Sequence, residues 1–351
     1  MIVSDRLHTL EPYDVGKRFD LPAGWTYLDW NESLFPPSPK VHEKISEYIE
    51  QGSLNRYPDI SHANLTQKLS EYVDLPCDFV EVYSGSDDAL KDIFIAFAWE
   101  SKSVLSYQPS YSQVDTFIFA NTKNYTRESI IDPMGKHEYD FSKIQDHDVV
   151  YLVNPNNPTG KLIDVDVIKN LLVKHPNTLF VVDEAYYEFC GETSANLVKS
   201  YENILITRTF SKAFGLASFR LGYVLGSPKT LRWIRKIKNG KSVSTLAQLA
   251  GEACLSDLDY LHRCVEKTKS ATDFFVSRVN NMSGYKALQT NANFVLLRPP
   301  NPATFLQSMS DNKILVRDRT KMTGIEGCFR LNFGDINLAK RILHIMENTN
   351  D

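Results

Sequence analysis

Between residues 79 and 225 short apolar runs alternate with amphipathic stretches. The runs are Phe79–Tyr83, Val104–Tyr107, a segment near Tyr125, Val149–Val153, Leu179–Val182, Ile204–Thr207 and Leu221–Leu225. Such short, mostly apolar runs fit strands buried on both faces. The stretches between them carry helical spacing, notably from Ser86 to Trp99, Tyr111 to Ala120 and Val165 to Lys174. This β-α alternation predicts an α/β fold built on a mostly parallel, seven-stranded sheet covered by helices. Two helices precede it, Pro39–Gln51 and Ala63–Val73.

After Ser244 the pattern changes. A long helical stretch, Leu246–Val279 with a break near Ser256-Asp257, is followed by strands at Asn293–Leu297, Ile314–Val316 and Cys328–Asn332 and by helices at Pro302–Ser310 and Asn337–Glu347. That is a smaller α+β domain. Residues 1–37 are punctuated by prolines and rich in rings, including Tyr13, Trp25, Tyr27, Trp30 and Phe35, so they read as an extended arm packed on the body or on a partner subunit. The expected organisation is an arm over 1–37, a large domain over 38–244 and a small domain over 245–351.

Composition narrows the classes. The net charge of −4 gives no basic field for nucleic acid or an anionic membrane, and the Arg232–Lys241 cluster reads as a solvated helix face. No apolar run approaches the roughly 18 residues a membrane span needs. Five scattered cysteines form no Cys-x-x-Cys pair and the histidines show no ligand spacing, which predicts reduced thiols, no metal site and a cytoplasmic location.

Chemistry concentrates after strands. The strand at Ile204 leads into Arg208-Thr209-Phe210-Ser211-Lys212 and on to Arg220, delivering two hydroxyls, an amine and a guanidinium to a strand end, where open α/β sheets collect ligands. Hydroxyls and a guanidinium suit a phosphate, and a desolvated amine can attack an aldehyde to give a Schiff base. Gly85-Ser86-Asp87 opens a helix whose free amides favour an anion, with Ser86 or Asp87 as its cap. Asn157, in a turn-rich segment, can donate to a ring oxygen. Asp183 ends a buried strand and requires a positive partner, for which a protonated pyridine nitrogen serves; Tyr186 follows three residues later.

Taken with Glu11-Pro12-Tyr13, Asn31-Glu32, Arg56-Tyr57-Pro58, Gly85-Ser86-Asp87-Asp88, Asn156-Asn157-Pro158, Asp183-Glu184-Ala185-Tyr186, Ser211-Lys212 and Phe329-Arg330-Leu331, these motifs resemble the fold-type I aminotransferases that use pyridoxal 5'-phosphate, and most of all the histidinol-phosphate aminotransferases. The resemblance implies that Lys212 binds the cofactor as a Schiff base and then moves a proton. It implies that Asp183 pairs with the ring nitrogen, that Asn157 and Tyr186 reach the ring oxygen, and that Tyr111 stacks on the ring.

The same resemblance places the cofactor phosphate against Gly85, Ser86, Asp87, Thr209, Ser211 and Arg220, with Tyr57 arriving from the other subunit of a homodimer. Tyr13, Asn31, Arg317 and Arg330 would face the substrate, Arg330 on a carboxylate and Arg317 on a phosphate. The implied reaction passes nitrogen from glutamate to a keto acceptor. Where the family usually reads Asn-Glu-Asn-Pro-x-Gly-Pro, this chain has Asn31-Glu32-Ser33-Leu34-Phe35-Pro36-Pro37, which leaves open a phosphorylated amino compound or small keto phosphate other than histidinol phosphate. Two alternatives share the pattern: a decarboxylase of phosphorylated amino acids and a cofactor-binding regulator.

Overall fold

A computed structural model of the protein describes residues 18–131 and 138–348. The first strand, β1 (Thr26–Leu28), lies within the segment read as an arm. Seven more follow: β2 (Val80–Tyr83), β3 (Val104–Gln108), β4 (Tyr125–Ser129), β5 (Val149–Val153), β6 (Leu179–Asp183), β7 (Ile204–Thr209) and β8 (Gly222–Gly226). They form one sheet in the order β2-β8-β7-β6-β5-β3-β4. Only β8 runs against its neighbours.

Every residue of β5, β6, β7 and β8 is buried, as their apolar composition demands. Alternation sorts them into two cores. Val150, Val182 and Ile206 pack on one face of the sheet, and Val149, Val181 and Leu205 on the other. The register aligns Val153 with Asp183 and Asp183 with Thr207, so β5, β6 and β7 end at one edge.

Four later strands, β9 (Lys286–Ala287), β10 (Phe294–Arg298), β11 (Ile314–Asp318) and β12 (Phe329–Asn332), make a second sheet with β1, in the order β1-β11-β12-β10-β9. Leu28, Val295, Val316 and Leu331 join Phe275 and Leu343, from the helices Leu258–Val279 and Ile336–Asn348, in a core of their own.

The expected break in the long helix is real, dividing Thr245–Leu255 from Leu258–Val279. Two expectations need correction. The arm's Thr26–Leu28 is an edge strand parallel to β11, too short to show a period of two. The basic stretch Arg232–Lys241 is only partly helical, since its helix, Pro228–Arg235, ends at Arg235. Tyr13 lies outside the described residues.

Candidate active site

The ends of β5, β6 and β7 and the start of the helix Ser86–Phe97 wall a cavity of about 670 Å³. Lys212 lies in the turn after β7, and its Nζ donates to the carbonyl of Trp30 at 2.8 Å. Burial pushes its amine down to about 8, with the Arg330 guanidinium acting in the same direction. Such an amine is neutral in a far larger fraction near physiological pH than an ordinary lysine, as a nucleophile or proton carrier requires.

Asp183, 3% exposed, accepts from the Tyr151 hydroxyl at 2.8 Å and from the Ala185 amide at 3.2 Å. Among the described residues no basic side chain pairs with it, and burial pushes its carboxyl up to about 6. The Tyr186 hydroxyl accepts from Asn31 Nδ2 at 2.9 Å, and its ring stands edge-on to Phe294. Arg330 Nη1 donates to Asn157 Oδ1 at 2.6 Å. A guanidinium only donates, so it fixes the amide and leaves Asn157 Nδ2 for another acceptor.

The anion end is built on backbone. Gly85, with φ of +84°, is the N-cap of the helix Ser86–Phe97, and no side chain caps it, which corrects the expected Ser86 or Asp87 cap. A Cβ at Gly85 would stand 2.8 Å from Arg220 Nη2, so the missing side chain lets the guanidinium lie against the helix start. Arg220 also reaches Asp87 at 3.4 Å and Ser211 Oγ at 3.4 Å. Asp87 in turn accepts from the Tyr111 hydroxyl at 2.8 Å, while Thr209 Oγ1 accepts from the Ser211 amide at 3.1 Å.

Of the residues singled out in the sequence, Ser86, Asp87, Tyr111, Asn157, Asp183, Tyr186, Thr209, Ser211, Lys212, Arg220 and Arg330 line this one cavity. Asn31 is buried behind it, bonded to Tyr186. Tyr57 is 81% exposed and outside the wall, with the Lys241 amine 5.0 Å from its ring centre. Arg317 is buried on β11 opposite Arg330 and does not line the cavity; Arg319, two residues on, does.

Sequence reasoning also passed over Trp30, Gln113 and Phe117 in the wall, and reached Glu32 only as part of the Asn31–Pro37 segment expected on the substrate side. Only the Asn31-Glu32 pair offered a signal for any of them. Beneath the floor, the buried Arg208 and Glu184 pair at 2.9 Å ties β7 to the end of β6.

A lysine amine of lowered pKa, a buried acid lacking a cation and an uncapped helix start beside an arginine together fit an aldehyde, a basic ring nitrogen and a phosphate. Those are the groups of pyridoxal 5'-phosphate. Fold and site thus define a pyridoxal-phosphate-dependent transferase of the open α/β type. Residues 23–345 match the family model for aminotransferase class I and II, and the chain belongs to that family.

It is 36% identical to dihydroxyacetone phosphate transaminase of Campylobacter jejuni, over 83% of this chain and 81% of that protein. It is 33% identical to histidinol-phosphate aminotransferase of Geotalea daltonii, over 87% of each. The crystal structure of histidinol-phosphate aminotransferase from Sinorhizobium meliloti in complex with pyridoxal-5'-phosphate superposes with a TM-score of 0.85 at 24% identity, covering 99% of this chain and 98% of that one.

Proposed function

We propose that this enzyme moves an amino group from glutamate to a small phosphorylated keto compound. The observation that carries the proposal is the shared cavity of Lys212 and Asp183, with an anion-binding helix start at one end and Arg330 and Arg319 in the wall. Two of its relatives are named for phosphorylated substrates.

When bound, the cofactor ring withdraws electrons from the substrate α-carbon and makes its proton acidic. Asp183, ionised once a cation stands beside it, keeps the ring nitrogen protonated. Asn157 and Tyr186 would hold the ring oxygen and Tyr111 would pack against the ring. The Ser86 and Asp87 amides, Thr209, Ser211 and Arg220 hold the phosphate. Lys212 would hold the cofactor's aldehyde carbon and would be the group to carry a proton at the substrate α-carbon, a role its lowered pKa suits. Arg330 receives a substrate carboxylate, and Arg319 is better placed than Arg317 for a second anion.

The reading extends to a homodimer in which the exposed Tyr57 completes the neighbour's phosphate site, to the division at residues 37 and 244, and to a cytoplasmic location. Among the described residues no helix is long and apolar enough to cross a membrane.

The test is a screen of candidate amines for a change in the absorbance of the bound cofactor, followed by keto phosphates as acceptors, with carbon dioxide release assayed in parallel. Glutamate is expected to shift the spectrum and a keto phosphate to restore it. Carbon dioxide release from phosphoserine or phosphothreonine without amino transfer would replace this reading by the decarboxylase.

A further inference from the structure

We infer that Tyr151 is a positioning residue of the cofactor site: from outside the cavity its hydroxyl keeps the Asp183 carboxylate charged and aimed, and so keeps the proton on the ring nitrogen. This rests on the place proposed above for Asp183, opposite that nitrogen.

Tyr151 lies on β5, is 1% exposed and does not line the cavity. Its side chain leaves the sheet on the same face as Val153 and, across the register with β6, as Val181 and Asp183. The ring stands edge-on to Phe94, 6.1 Å away, on the helix Ser86–Phe97 whose start forms the anion end. Among the described residues its hydroxyl bonds only to Asp183 Oδ2, at 2.8 Å, and no other side chain is hydrogen-bonded to that carboxylate. Oδ1 takes the Ala185 amide, while Thr207, level with Asp183 on β7, brings a hydroxyl that makes no hydrogen bond there.

The direction of the Tyr151 bond is fixed. Burial and the neighbouring Asp183 charge push the phenol well above its ordinary range, so Tyr151 keeps its proton and can only donate it in a hydrogen bond. Asp183 is drawn both ways. Burial pushes its carboxyl up to about 6 and the Asp87 charge adds to that, whereas the Tyr151 hydroxyl is the strongest influence holding it down.

A carboxyl group facing a ring nitrogen shares one proton with it, either as an acid beside a neutral ring or as a carboxylate beside a protonated one. A dry site favours the uncharged pair, and a hydrogen bond donated to the carboxylate favours the charged one. Loss of the Tyr151 hydroxyl therefore returns the proton to Asp183 and leaves the ring a poorer electron sink.

The test loads wild type and Tyr151→Phe with pyridoxal phosphate carrying nitrogen-15 in its ring and reads that nitrogen by magnetic resonance. Wild type is expected at the protonated position and Tyr151→Phe displaced toward the unprotonated one. The signal comes from bound cofactor alone, so it does not depend on how much of the variant folds. With glutamate, kcat/KM should fall about tenfold or more in Tyr151→Phe. In Asp183→Asn protein, which has no carboxylate to keep charged, the added Tyr151→Phe should cost about twofold or less.

An unmoved nitrogen resonance, or equal losses in the two backgrounds, overturns the role of Tyr151 and leaves Asp183 opposite the ring. A wild-type nitrogen already at the unprotonated position overturns the pairing of Asp183 with the ring, and this inference with it. Failure of glutamate to react overturns the amino-transfer reading alone, since the nitrogen is read before any amine is added.

Discussion

At the scale of single residues, the site works by withholding partners. Lys212 is buried among arginines and loses its proton early; Asp183 is buried without a cation and keeps its proton late. The first has a direct consequence for cofactor-free protein, since only the neutral amine attacks an aldehyde. Lys212 carries its proton below about pH 8 and sheds it above, so reconstitution with pyridoxal phosphate should accelerate about tenfold per pH unit up to that point and then level off. Stopped-flow absorbance checks this, and a rate flat from pH 6.5 to 9 contradicts it. Asp183→Asn keeps the shape but not the charge, and should lower kcat/KM by about 100-fold or more with both substrates.

At the scale of elements, the phosphate end depends on how closely β8 approaches the start of the helix Ser86–Phe97. A Cβ at Gly222 would come within 2.6 Å of the Ser86 nitrogen, 2.7 Å of the Gly85 carbonyl carbon and 2.8 Å of the Arg208 oxygen, all of them backbone atoms that cannot rotate away. Gly222→Ala should therefore cost about 1–3 kcal/mol in thermal unfolding and weaken cofactor binding measured by equilibrium dialysis. Gly85→Ala meets the movable end of Arg220, and so its cost falls mainly on the strained φ.

This scale also shows what the sequence could reveal. The central strands of the large sheet were legible because burial on both faces leaves nearly continuous apolar runs, and Lys212, Asp183 and Asn157 because each follows such a run. Arg319 was not, and Glu32 only as one residue of a longer motif. Whether a side chain two places along a turn faces the cavity depends on pairing between distant strands, as with Arg317 and Arg330, which local spacing does not record. The Gly85 cap was misread because Ser86 and Asp87 are good capping residues by type, but here Gly85 holds the cap position, the first turn faces the cavity, and Asp87 is engaged by Tyr111 and Arg220.

At the scale of the molecule, two features lie apart from the chemistry. Arg208 and Glu184 are 1% and 0% exposed, and Arg208 sits 3.6 Å from the Tyr187 ring centre. Arg208→Met leaves a buried acid alone and should cost about 3–5 kcal/mol, read as a lowered Tm. On the outside, Ile49, Leu54, Tyr57 and Ile60 are all exposed within one short stretch, which suits the proposed subunit contact. If that contact forms and carries Tyr57 to the other site as proposed, Ile60→Lys should shift sedimentation toward the monomer and reduce activity along with it.

The four residues that follow β1 carry a heavier duty than their number suggests. Asp29 offers its carbonyl to Arg330, Trp30 to Lys212, Asn31 its amide to Tyr186, and Glu32 its carboxylate to the cavity. The second sheet thus meets the cavity twice, through Arg330 on β12 and through the segment leaving β1, so a change that loosens the pairing of β1 with β11 should disturb the lysine's anchor as well as the small domain.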